Sequence, residues 1–196
     1  MPYFIIQRSL IDRGANGGIA GDDMRIVKHG LCAVNVQGID NHTMNAKPIA
    51  TCGALINTQR GPIIGIFHQH AYAGKGKSIH SSGQLEHFKQ NVDDRAIKNG
   101  GEQRIVTNDG HVAPLNMRDG LTCVNMRPYT DDEESKYPKV VVTSNNEWNP
   151  EALDQEIDDE DEEWHDAQED MPLPHKLFDI EGNYIHEVLM HTMEIL

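Results

Sequence analysis

Short apolar runs broken by Gly, Asn and Asp fill the chain from Met1 to about Arg127, and none is long enough for a buried helix. Runs of this length, bounded by turn residues, predict β-strands over residues 3–11, 24–28, 31–37, 48–56, 62–68, 104–107, 111–115 and 121–126. Between two of them, Asn108-Asp109-Gly110-His111 carries the Asp-Gly signature of a hairpin turn. Only Ser81 to Gln90, with Leu85 and Phe88 three apart, has helical spacing in this region. The pattern predicts a mainly β domain with one short helix.

After Pro128 the pattern changes. Asp131-Asp132-Glu133-Glu134 precedes a strand-like Val140-Val141-Val142, and carboxylates then dominate from Asp154 to Asp170. Like charges at that density repel and offer little to bury, which predicts a largely disordered acidic linker over 129–178. Ile185, Val188, Leu189, Met193 and Leu196 return at helical spacing, predicting an amphipathic helix over 179–196 that needs an apolar partner surface. The expected organisation is a domain over 1–128, the linker and the C-terminal helix.

Charge sharpens that division. The formal net charge is −14, yet residues 1–146 hold 16 Lys/Arg against 14 Asp/Glu, while 147–196 hold one against 17. No basic cluster is present to neutralise phosphates, which argues against nucleic-acid binding by this segment. No apolar run approaches a membrane span, and the first residues lack a signal-peptide core. Cys32, Cys52 and Cys123 are odd in number and widely spaced, so a reduced, intracellular and cytoplasmic setting is the simplest expectation, with no membrane partner.

Candidate chemistry begins at Asp12-Arg13-Gly14-Ala15, directly after Leu10-Ile11. An apolar strand that delivers Asp, one residue, then Gly-Ala can present a carboxylate in a tight turn. Two carboxylates brought together cannot both ionise, so one keeps a proton while the other activates water. A chain with one such turn must obtain its second carboxylate from another copy.

Further segments carry a resemblance. Leu10-Ile11-Asp12-Arg13-Gly14-Ala15-Asn16, Lys77-Ser78-Ile79-His80-Ser81-Ser82-Gly83-Gln84-Leu85-Glu86, Asn108 to Leu115 and Asp119-Gly120-Leu121 fall in an order and spacing that resemble the protease region of copia-type retrotransposon polyproteins, the retropepsin-like aspartic proteases, in the divergent form carried by algal retroelements. The resemblance spans about Leu10 to Pro128. It implies a closed β-barrel of the acid-protease-half type that is active only as a homodimer. Asp12 would be the catalytic aspartate, Gly14 the residue that permits the turn, and the element's polyprotein the peptide substrate, with no cofactor. It also implies a hairpin flap, for which Gly38, Ile39, Asp40 and Asn41 lie in the expected window. One residue departs from the family: Arg13 stands where a Ser or Thr hydroxyl forms a network beneath the two aspartates. Arg has no acceptor to make that network, and if it paired with Asp12 the shared proton would be lost.

Other readings compete. His68 and His70 lie two apart on a predicted strand, sharing one face, with His80 beyond a Gly-rich loop, and could ligate a metal; ordinary surface histidines are the plainer expectation, and no metal site is assigned. Gly74-Lys75-Gly76-Lys77-Ser78 lacks the earlier Gly of a phosphate loop. Asp22-Asp23 does not form an ordered calcium loop. His186 and His191 are five apart, about 140° round a helix, and cannot form the two-histidine zinc pair. The leading expectation is a homodimeric aspartic endopeptidase; the alternatives are a catalytically degenerate binding or dimerisation module on the same fold, and a histidine-dependent metal-binding protein.

Overall fold

Burial alternates along the two longest interior strands, and that alternation sets the architecture. We describe a computed structural model, in which residues 7–154 are described. In β4 (Thr43–Thr58), Ala50, Cys52, Ala54 and Ile56 enter one apolar cluster while Leu55 enters another. In β5 (Gly61–Tyr72), Ile63 and Phe67 join the first cluster and Ile64 and Ile66 the second. Successive side chains point to opposite faces, so both faces of this hairpin are covered.

The remaining strands are β1 (Gln7–Asp12), β2 (Ile19–Ala20), β3 (Arg25–Gln37), β6 (Ile79–Ser81), β7 (Asn91–Asp93), β8 (Arg104–Val106), β9 (Val112–Arg118), β10 (Leu121–Arg127) and β11 (Lys139–Val141). Pairings β4–β5, β5–β2, β2–β6, β6–β1, β1–β10 and β10–β4 close a ring of six strands. Closure leaves the ring no open edge. Its interior holds Ile11, Ile56, Ile63, Phe67, Val124 and Met126, with Leu85 of α1 (Ser82–His87) packed among them. Each such side chain contributes about 1.5–3 kcal/mol through burial. The molecule is therefore mainly β, as the apolar pattern predicts.

The differences are local. Residues 24–28 and 31–37, expected as two strands, form one strand, β3, with shifts in its register against β4. Gly30 lets the chain continue where a side chain would collide, since a Cβ there would lie 2.8 Å from the Ile49 carbonyl oxygen. The expected turn at Asp109-Gly110 links β8 to β9, with Gly110 at φ 74°. β2, β6 and β7 are only two or three residues long, too short for periodicity to register.

Packing also continues past residue 128, into what the acidic composition predicts as the start of a linker. Thr130 caps α2 (Asp131–Lys136) through a reciprocal capping box with Glu133. β11 adds to β5 in parallel, and Tyr129, half-buried Tyr137, Val140 and Val142 cover apolar surface. The acidic residues of α2 sit at its N-terminus, where carboxylates favour a helix instead of preventing one. Residues 155–178 of the expected linker and the expected helix over 179–196 lie outside the described residues.

Candidate active site at the end of the first strand

Asp12 is the last residue of β1, and its position follows from the pairing on either side. β10 runs antiparallel along one edge of β1, and β6 runs parallel along the other, with Ile11 opposite His80 and Asp12 opposite Ser81. Ser81 is also the N-cap of α1, accepting a hydrogen bond from the Gln84 amide. The carboxylate is half-buried and its Oδ1 accepts the Gly14 N–H at 2.8 Å. A Cβ on residue 14 would approach that oxygen to 3.3 Å, so Gly keeps the amide close to its acceptor.

Arg13 does not pair with Asp12. Its guanidinium forks onto Glu86 of α1 at 2.9 and 3.0 Å and touches Asp94 Oδ1 at 3.2 Å. The hydrogen bonds that it donates to Glu86 push its pKa further up, so it remains a cation. The concern that Arg13 would neutralise the aspartate is answered by two acidic side chains that already occupy it. The mixed-charge cleft beside it, about 540 Å³, is lined in part by Arg13, Asp93, Asp94, Arg95 and Glu102.

Beneath the turn lies a polar layer that sequence inspection missed. Gln84 Oε1 accepts the Gly18 N–H at 3.0 Å while its Nε2 donates to the Gln69 carbonyl at 3.3 Å. Asp23 is fully buried; Ser9 Oγ donates to it at 2.5 Å, Ser78 donates through both N–H and Oγ, and the Gly21 N–H donates to Ser78 Oγ. This carboxylate ties β1 to the segment before β6 and faces no solvent. The signal available in the sequence was the Gln-Leu pair on the short helix; the Asp22-Asp23 pair drew notice only as a cation site, not as a buried acceptor for Ser9 and Ser78.

The histidines differ from expectation. His70 and His80 are buried, not on the surface. Gln69 adopts φ 57° where β5 carries one extra residue opposite β4, and this bulge puts His68 and His70 on opposite faces. His68 Nδ1 meets Thr51 Oγ1 at 2.9 Å, whereas His70 Nε2 meets His80 Nδ1 at 3.1 Å. Because His70 Nδ1 must donate to the His68 carbonyl, its Nε2 accepts, His80 Nδ1 donates, and His80 Nε2 is left with no partner. His80 lines an apolar void of about 20 Å³ together with Phe67, Leu85 and Ile105. Burial lowers the pKa of His70 to about 4 and that of His80 well below the usual value. Among the described residues no three His, Cys, Asp or Glu side chains converge as metal ligands.

The predicted flap residues occupy a hairpin tip. Gly38 N–H donates to the His42 carbonyl at 2.8 Å, Asn41 N–H to the Gly38 carbonyl at 3.0 Å, and Asn41 takes φ 63°. Ile39 is fully exposed, and nearly all of β3 behind it is exposed as well. All three cysteines are unpaired; Cys32 is exposed, Cys52 and Cys123 are buried, and burial pushes the Cys52 thiol up to about 12, which leaves it inert. No helix among the described residues is long and apolar enough to cross a membrane. No family model, curated protein or solved structure matches this chain.

Proposed function

We propose that this chain is a retropepsin-like aspartic endopeptidase domain, acting as a homodimer in which the two Asp12 carboxylates share one proton and activate water against a peptide bond. The observation that carries this reading is the condition of Asp12. It ends an interior strand, is held by the Gly14 amide at 2.8 Å, and is spared the neighbouring guanidinium, which Glu86 and Asp94 engage. The six-strand ring and the exposed hairpin tip at 38–42 support the same reading. The substrate class is an extended polypeptide, with the polyprotein of a copia-type retroelement as the biological target. A reduced cytoplasmic setting fits three unpaired cysteines.

The test is cleavage of a denatured protein or peptide library with pepstatin present and absent, together with sedimentation of the intact chain. The expected outcome is a dimer with pepstatin-sensitive cleavage that Asp12→Asn abolishes. Equal background cleavage by the wild type and Asp12→Asn ends the claim. That result favours the second reading, a binding or dimerisation module, which the missing hydroxyl at position 13 motivates.

A further inference from the structure

We propose that Arg13 is a positioning residue for Asp12, fixing the carboxylate-bearing turn from within one subunit. The guanidinium is gripped by groups from separate parts of the fold. Glu86 belongs to α1, whose cap Ser81 is paired with Asp12 itself. Asp94 follows β7, and its own placement is set by Ser82 Oγ, which donates to Oδ2 at 3.2 Å, and by Thr122 Oγ1 of β10, which donates to its carbonyl at 3.0 Å. A planar fork on a carboxylate sets orientation as well as distance, which a lysine ammonium cannot do.

The far side of the same turn is anchored independently. Trp148 Nε1–H donates to the Asn16 carbonyl at 2.7 Å while its indole packs against His87 and Phe88, at 5.0 and 6.0 Å between ring centroids. Arg13 and Trp148 thus bracket the segment in which the Gly14 N–H reaches Asp12 Oδ1. The plainer alternative is a surface ion pair of little consequence, since the Arg13 and Glu86 side chains are 54% and 38% exposed. The two accounts differ in where a lost pair is felt: at Gly14 and Asp12, or nowhere in particular.

This inference rests on reading Asp12 as the working carboxylate, and the experiment separates the two claims. Amide exchange at Gly14 is compared with exchange at Ile64, whose N–H donates to the Pro138 carbonyl far along the chain. The variants are Arg13→Met, Glu86→Gln, Arg13→Lys and, as a control in the same cleft, Arg95→Met. We expect Arg13→Met and Glu86→Gln to speed Gly14 exchange about tenfold or more with Ile64 unchanged, and to lower kcat for peptide cleavage by a similar factor with KM unmoved. Arg13→Lys recovers part of both effects, and Arg95→Met alters neither. Unchanged Gly14 exchange, exchange that rises only in step with Ile64, or faster cleavage by Arg13→Thr overturns the proposal. Selective exchange at Gly14 with equal cleavage by the wild type and Asp12→Asn upholds the positioning contact and removes the endopeptidase reading.

Discussion

His70 and His80 place two imidazoles against each other in an interior where, among the described residues, no carboxylate acts on either. The ionisable groups that bear on the pair are its own members and His68, whose charge would oppose theirs. Protonating His70 would set two N–H groups face to face, and protonating His80 at Nε2 would add a buried N–H with no acceptor. Both rings therefore stay neutral in the folded chain, while the unfolded chain binds protons below about pH 6.5. Their native pKa values are lowered, so this stability is complete above pH 6.5 and is lost as pH falls toward 4. For His70 the loss over that window is about 3 kcal/mol. Chemical denaturation from pH 7 to 4 should show it, and His80→Phe, which removes one of the two sites, should roughly halve the slope. An unchanged slope in that variant would mean that other groups govern the acid limb.

At the scale of elements, the pair depends on two irregularities that no periodic pattern encodes. The bulge at Gln69 turns His70 inward, and Gly18 leaves room for it: a Cβ on residue 18 would lie 2.2 Å from His70 Nε2. Gly18→Ala must displace a ring that is hydrogen-bonded on both sides, so we expect a loss of about 3 kcal/mol, read by thermal unfolding. α1 is equally committed. Leu85 is buried in the ring and Gln84 bridges Gly18 to the bulge, so Leu85→Ala should cost about 2–5 kcal/mol. The strands around Leu10, Ala54, Phe67 and Val124 were legible beforehand because each is long enough to show where its apolar residues fall. The two-residue β2 and three-residue β6 were not, although β6 is the strand that holds Asp12 in place.

Across the whole molecule, residues 129–154 complete the structure around the candidate site. Tyr129 closes the outer cluster over Leu55, Ile64 and Ile66, its ring lies 5.1 Å from the Arg25 guanidinium, and Trp148 reaches back to Asn16. Tyr129→Ala should expose that cluster and cost about 3 kcal/mol in denaturant titration, with increased binding of an apolar dye. A variant as stable as the wild type would show that the outer layer is dispensable.

What the chain by itself determined is the β character of residues 7–127, the turn at Asp12 to Gly14, the hairpin tip at Gly38 to Asn41 and the acidity of its last quarter, because each is written in neighbouring residues. What only the tertiary structure decided is which groups meet across long separations. Glu86 and Asp94 claim Arg13 from 73 and 81 residues away, Asp23 meets Ser78 from 55 residues away, and Trp148 pins a turn 132 residues before it. Local sequence records propensity and polarity. Partner choice depends on strand closure, and closure brings together residues whose spacing along the chain carries no trace of it.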